Sequence, residues 1–471
     1  MVFASPLFLF GFLPIALALY HLSPRRTRNA MLLVLSLLFY AWGERQWMIV
    51  MLASIVFNWL GALAVDRWRE RREQRWVLAL VIATNLAALA YFKYAGFALG
   101  NVNALLEALG WRKLDATEPH LPLGISFFTF HAISYVVDVH RRQSRALANP
   151  LDTALYFALF PQLIAGPIIR YHYIEDQLRE RSAGLASVAR GIERFVTGLA
   201  KKVLIANVAA RCAEQIFNLD AQNLGFGTAW VGVIAYAIQI YFDFSGYSDM
   251  AIGLGGMFGF RFPENFNYPY ASRSITEFWR RWHMSLSSWF RDYVYIPLGG
   301  NRVSAGRTYF NLAAVFLLCG LWHGASWNFV IWGALHGLFL VLERAFLGRA
   351  LSALPRGLQH AYALLVVCVG WVFFRATDLR SAGSLLWAMT GAAGASRASH
   401  PVSLFVTPAV QLAAVAALIF AVPIVPSLLA RSGRKDEARV WLGIPVTALL
   451  LVMCASHLAT TSYNPFIYFR F

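Results

Sequence analysis

The sequence predicts an all-α membrane protein with many spans, and three observations lead there. First, 58% of the 471 residues are hydrophobic and only 14% are charged, with a mean hydropathy of +0.53. A soluble domain averages roughly 25% charged residues, so this chain lacks the charge to cover a globular surface of its size. Second, apolar stretches near the ~20 residues that cross a ~30 Å hydrocarbon core recur along the whole length. Third, those stretches are continuous rather than alternating. In lipid every backbone amide must find its partner within a helix or a closed barrel, and unbroken apolarity selects helices.

Taken in order, spans are expected near 2–22, 30–43, 47–65, 76–99 and 121–139. Further apolar runs follow near 151–169, 188–210, 226–260, 308–347, 358–376, 404–430 and 439–458. Together they suggest about eleven to thirteen crossings. No linker, low-complexity tract or repeat separates them, so 1–471 is expected to be a single integral membrane domain. Val2–Leu22 lacks a basic n-region and a convincing cleavage site, which predicts a retained first span with its N-terminus outside.

The net charge of +17 does not indicate nucleic acid. The basic residues gather in short gaps between apolar runs: Arg25, Arg26 and Arg28, then Arg67, Arg69, Arg71, Arg72 and Arg75, then Arg141, Arg142 and Arg145. Cytoplasmic loops carry such an excess, and by parity the first five spans place all three gaps on one side. A nucleic-acid face would interleave aromatic and basic residues on a soluble module, and none is visible. Cys212, Cys319, Cys368 and Cys454 have no ligand or staple spacing and read as small buried hydrophobes.

Two runs are too long for one straight span. As helices 226–260 and 308–346 would reach about 52 and 58 Å. Gly246, Gly253, Gly255 and Gly256 in the first, and Gly320 and Gly324 in the second, offer places to break. Irregular backbone at membrane depth is tolerated only against protein or a water-filled cavity. Broken or re-entrant helices around an interior cavity are therefore expected, with glycine-mediated helix packing as the alternative.

Three segments carry candidate chemistry. Ser274-Ile-Thr-Glu277 is a capping box opening a helix expected to run through His283 to Tyr293. Phe278, Trp282, Leu286, Trp289, Phe290 and Tyr293 share one face, Arg280, Arg281, Ser288, Arg291 and Asp292 the other, and His283 falls on the border. In Gly320-Leu-Trp322-His323-Gly-Ala-Ser326-Trp327-Asn328 a histidine sits inside an apolar run between glycines. An ionisable group in lipid is costly and marks function by default, and imidazole titrates where a hydroxyl proton can be taken at neutral pH. His336 lies about 20 Å of helical rise beyond His323, so it is read as structural or cavity-lining. In Asp243-Phe-Ser245-Gly-Tyr247-Ser-Asp249 two carboxylates need partners, which Arg261, Arg273 or the His283 helix could supply. A buried polar network is as natural a reading there as direct catalysis, and His131 with Asp138 is read the same way. A Gly-x-Ser-x-Gly elbow, a His-Glu-x-x-His zinc helix and a Walker A loop are absent, so no metal is expected.

These segments resemble the membrane-bound O-acyltransferase family, specifically its bacterial alginate O-acetyltransferase branch. The likeness is carried by Leu121–Phe130, Ala165-Gly-Pro167 with Arg170, Asp243–Asp249, Pro263–Pro269, Phe278–His283 running on to Tyr295–Asn301, and Leu321–Asn328. It is densest over 121–345. The resemblance implies that His323 is catalytic and His283 is implicated, inside a central funnel through a thinned membrane core. Asp243, Ser245, Tyr247, Asp249, Arg280, Trp282, Trp322, Ser326, Trp327, Asn328 and His336 are the candidate substrate-binding or cavity-lining residues in and beside these segments. No bound cofactor is expected, acetyl-CoA being the donor substrate. The resemblance also implies the bacterial inner membrane as location and periplasmic partners resembling SGNH hydrolases. A non-catalytic transporter of the acyl donor and a membrane scaffold are the rival readings.

Overall fold

The computed structural model describes residues 2–115, 117, 119–220, 224–392, 400–424, 427, 435–461 and 463–467, with 435–442 described by their backbone alone. Among them every regular element is helical. The helices are α1 (Leu13–Leu22), α2 (Arg28–Ala41), α3 (Met48–Arg67), α4 (Glu73–Ala108), α5 (Ile125–His140), α6 (Pro150–Ala158) and α7 (Phe160–Leu163). Next come α8 (Tyr171–Arg179), α9 (Leu185–Ala200), α10 (Asn207–Phe217), α11 (Phe226–Met257), α12 (Ile275–Arg281), α13 (Met284–Phe290) and α14 (Ala305–His323). The last are α15 (Trp327–Leu342), α16 (Gly348–Ser352), α17 (Arg356–Arg375), α18 (Leu379–Met389), α19 (Pro408–Phe420) and α20 (Lys435–Thr460). Among the described residues five segments are long and apolar enough to cross a membrane unaided: Met48–Arg67, Glu73–Ala108, Trp327–Ser352, Arg356–Arg375 and Gly443–Thr460. The chain is a multi-pass membrane protein.

Contacts group the chain into two units, Met1–Gly191 with Ala251–Pro263, and Ile192–Met250 with Glu264–Phe471. The first unit is built on aromatic packing, with ring centroids 5.0 Å apart for Phe3 and Phe8 and 5.3 Å for Phe39 and Phe160. Its polar residues pair across helices, as they must where lipid offers no partner. Asn58 of α3 and Asn85 of α4 exchange two amide hydrogen bonds of 3.0 and 2.8 Å. Asp138 accepts from the backbone N–H of His172 at 3.2 Å and meets that residue's Nδ1 at 2.9 Å. His131, read together with Asp138, is not part of this network: it is fully buried among apolar and aromatic neighbours, and neither ring nitrogen has a hydrogen-bond partner among the described residues. The apolar run 151–169 is not one helix. It resolves into α6 and α7, and Pro161 and the Gly166-Pro167 pair stop either from continuing.

One of the two expected breaks occurs and the other does not. α11 runs unbroken to Met257 through all four of its candidate glycines. The reason lies in packing: a Cβ on Gly198 of α9 would stand 2.5 Å from the Gly246 carbonyl, and one on Gly246 would stand 2.7 Å from that of Gly198. These glycines bring two backbones together, and they do not bend one. The run 308–347 does break, between α14 and α15, where Gly324 is extended at φ −165°. The two helices then fold onto each other through Gly320 and Gly333; a Cβ on Gly320 would come within 2.3 Å of the Phe329 carbonyl. Small residues at such crossings let helices approach closely. Gly320→Leu is thus expected to prevent α14 from seating on α15, with a loss of folded protein measurable as aggregation of the detergent-solubilised variant in size-exclusion chromatography. A monodisperse peak at wild-type yield would contradict the packing.

Candidate active site

α14 ends on His323 because Gly324 and Ser326 leave the helical region. The His323 ring is 4% exposed and lies among three aromatics, with centroids 4.8 Å from Trp322, 5.0 Å from Trp332 and 5.2 Å from Phe374. It opens on a cavity of about 10 Å³, room for roughly one water, walled also by Trp282, Trp371 and Ile467. Phe374 and Ile467 are shared with a neighbouring cleft of about 240 Å³ that Glu214, Gln239, Ser326 and Arg375 help to line. Two side chains thus stand between the histidine and a space large enough for a ligand.

His283 is placed differently from expectation. The helix opened by the capping box is real, with Ser274 Oγ accepting from Glu277 N at 3.0 Å, but it ends at Arg281. His283 takes φ 44°, ψ 53° and starts α13 in a new direction, so it is not a border residue of one continuous helix. A left-handed conformation at a non-glycine residue costs of order 1–3 kcal/mol, and such strain clusters at functional sites. Asn265, in the preceding loop, holds the turn. Its Oδ1 accepts from Ser285 N at 3.2 Å and Ser285 Oγ at 2.8 Å, and its Nδ2 donates to Ser248 Oγ at 3.0 Å.

That pattern assigns the imidazole. A backbone N–H can only donate, so the atom facing Ser285 N must be the amide oxygen. The same oxygen lies 3.1 Å from His283 Nδ1, which therefore carries the proton. The lone pair of the neutral ring is on Nε2, a buried atom with no hydrogen-bond partner among the described residues. Trp322 lies against both histidines, its ring centroid 6.3 Å from that of His283 and 4.8 Å from that of His323. Asn265→Leu is expected to remove the acceptor shared by Ser285 and His283 and free the imidazole to change tautomer, at about 1–3 kcal/mol for a buried group left unsatisfied. A lower melting temperature and a changed ¹⁵N histidine spectrum are the readouts; an unaltered spectrum would refute the tautomer assignment.

The acidic motif finds partners other than those expected. Asp243 pairs with Lys202 at 2.7 Å, both buried, and accepts from Ile467 N at 3.0 Å. Asp249 pairs with Arg194 and Lys201, each at 2.6 Å. The cations come from α9 and the π-helical turn Lys201–Ala206 after it, because the glycine contacts described above hold this segment against α11. Arg261 and Arg273 are not used. Lys202 also donates to the Pro465 carbonyl, so the Asp243–Lys202 pair anchors the chain at Pro465–Ile467 beside the His323 cavity.

The other candidates divide. Trp282 and Trp322 are buried around the histidines, Trp282 as a cavity wall, and Ser326 lines the larger cleft. Tyr247 stacks on Phe466 at 4.6 Å, and Ser245 is buried. Asn328 donates to the Ala376 carbonyl at 2.7 Å, fastening α15 to the end of α17. His336 is fully buried, facing Trp279 Nε1 at 3.3 Å, and walls neither cavity. Arg280, on the outer face of α12, and Trp327, at the start of α15, are exposed and also lie outside both. Not foreseen were Asn265, Lys202, Phe374, Ile467 and Glu343, whose carboxylate caps α12 by accepting from Ile275 N at 2.6 Å and Thr276 N at 2.9 Å. The lysine had a signal, being a charge within an apolar run.

Residues 89–381 match the model of the MBOAT, membrane-bound O-acyltransferase, family. The chain is 49% identical over 391 residues to a probable alginate O-acetylase AlgI of Azotobacter vinelandii, covering 83% of this chain and 78% of that protein. It is 48% identical to the protein of that name in Pseudomonas aeruginosa, covering 83% and 75%. It is 37% identical to a peptidoglycan O-acetyltransferase of Helicobacter pylori, covering 84% and 81%. Both histidines lie within the matched region and share the surroundings just described; the chain belongs to the membrane-bound O-acyltransferase family.

Proposed function

We propose that this acyltransferase takes acetyl from a cytoplasmic thioester, acetyl-CoA, and passes it across the bacterial inner membrane for O-acetylation of an extracytoplasmic polysaccharide, alginate. The observation that carries this reading is His323, an imidazole ending a broken helix at a small cavity beside a larger cleft. His323 acts as general base: it takes the proton of the acceptor hydroxyl, whose oxygen bonds to the acetyl carbonyl carbon as the carbon–sulfur bond breaks and coenzyme A leaves. His283 sits one indole away, and its Nε2 lone pair accepts a hydrogen bond from an N–H of the donor or from the acceptor hydroxyl; in this tautomer it does not serve as an oxyanion donor. The acceptor hydroxyl belongs to a periplasmic subunit resembling an SGNH hydrolase, and the ester formed on it is then exchanged onto a hydroxyl of the polymer, which frees the subunit's hydroxyl again.

The alginate reading is supported by the names of the relatives near half identity. Peptidoglycan is the second reading, favoured by the Helicobacter relative, and cellulose is a third. The test is ester analysis of purified cell-surface polymers from a deletion strain and its complemented parent. Acetate missing from exported alginate alone supports the first reading, and acetate missing from peptidoglycan alone replaces it with the second.

A further inference from the structure

The arginines that open the chain do not simply face solvent. In the first unit Arg25, Arg26 and Arg28 meet Arg179, Arg181 and Arg261 around an open cleft of about 730 Å³. Three acidic residues line it as well, Asp152, Asp176 and Glu180, which leaves the cations in excess six to three. Part of that acidity is already engaged, since Asp152 accepts amide donors from Asn29 at 2.7 Å and Asn149 at 3.1 Å.

Two of the guanidinium groups are held by neutral oxygens alone. Arg28 donates to the carbonyls of Ser23 at 3.2 Å and His21 at 3.5 Å. Arg181 donates from Nε to Tyr20 Oη at 3.0 Å and Phe258 O at 3.2 Å, and from Nη1 to Asn29 Oδ1 at 2.6 Å. Neither forms an ion pair among the described residues, and Arg181 Nη2 has no acceptor there. Arg181 is thus fixed in place by uncharged partners, and since its Nη2 is buried it gives the cleft charge rather than a free donor. Arg25, Arg26 and Arg261 are exposed, form no ion pair among the described residues, and leave their forks open to the cleft. Guanidinium forks so arranged match the oxygens of a phosphate, which two N–H groups can engage at once. A cleft of this volume lies within the range that small-molecule ligands occupy.

We infer that this cleft is a binding site for a phosphate ester. Two sources carry that chemistry on the side of the membrane where basic loops gather: the nucleotide of a coenzyme A donor and the headgroup of an anionic phospholipid. In the first case the inference rests on the acetyl-transfer reading and supplies its donor dock, remote in sequence from His323. In the second it stands alone as a lipid site.

The test uses the full chain purified in a zwitterionic detergent. Adenosine 3′,5′-bisphosphate is titrated by calorimetry in one arm; in the other, phosphatidylglycerol retained in phosphatidylcholine nanodiscs is counted by native mass spectrometry. The double variant Arg28→Gln/Arg181→Gln is expected to weaken one of the two probes at least tenfold. Because Arg181 also braces Tyr20 and Asn29, Arg25→Gln/Arg261→Gln, which alters exposed side chains, is measured beside it and is expected to weaken the same probe several-fold. Arginine-dependent binding of the bisphosphate assigns the nucleotide; arginine-dependent retention of phosphatidylglycerol assigns the lipid. If neither probe binds the wild-type chain, or both bind all variants equally, the site does not exist. His323→Ala is expected to bind the same probe unchanged, so a failure of the catalytic reading leaves this result readable.

Discussion

Replacing His323 with alanine is expected to cut acetyl transfer by about 10²–10⁴-fold, the usual contribution of a positioned general base. The chain itself should remain in the membrane. The ring contributes packing to Trp322, Trp332 and Phe374, and its loss adds only a small void to a cavity already present. His323→Gln, closer in volume, should be as inactive as the alanine variant if the lost property is proton transfer. Should glutamine restore transfer to near the wild-type rate, the histidine is a packing residue. Ester content of exported polymer, normalised to the amount of chain in isolated membranes, gives both numbers.

The second large effect concerns the pair beneath the cavity. Lys202→Met is expected to destabilise the protein by about 3–5 kcal/mol, because it leaves the Asp243 carboxylate buried and unpaired. Lys202 is 2% exposed and Asp243 1%, so water cannot take the place of the ammonium. The double variant Lys202→Met/Asp243→Leu removes both charges and should recover most of that loss, since replacing a whole buried pair by apolar residues is often close to neutral. Recovery will stop short of complete because Ile467 N loses its acceptor. Apparent melting temperatures of the wild type and the two variants decide it; a double variant no more stable than Lys202→Met alone would contradict the pairing. Both variants should also loosen the anchor at Pro465–Ile467 and change access to His323, seen as faster modification of its ring by diethylpyrocarbonate.

The helical class, the membrane habit and the positions of most helices were legible because burial in lipid imposes one composition and one periodicity. The break after His323 was legible for a similar reason: a histidine beside Gly324 in an apolar run is costly as uninterrupted helix. The glycines of α11 misled because the same residue serves two ends. Gly246 faces the backbone of Gly198, a partner 48 residues away in the chain, and only the fold shows that this glycine makes room rather than a bend. The turn at His283 was hidden behind a faultless amphipathic pattern. What redirects the chain there is Asn265, whose amide holds Ser285 and the imidazole together across 18 to 20 positions. Likewise Asp243 and Asp249 announced buried charge but not its partners, since Lys202, Arg194 and Lys201 reach them only through helix packing. Single residues with an energetic penalty were readable; pairings that cancel the penalty were not.

The central claim is that acyl transfer takes place at His323. The most direct measurement is a cryo-electron microscopy structure of the purified chain bound to a coenzyme A analogue whose thioester is replaced by a non-transferable ketone. With Phe374 and Ile467 displaced, the ketone carbon should lie near the His323 imidazole, with room between them for a hydroxyl that hydrogen-bonds the ring and stands about 3–3.5 Å from that carbon. An acyl group resting elsewhere, with the His323 ring still sealed behind those two side chains, would contradict it.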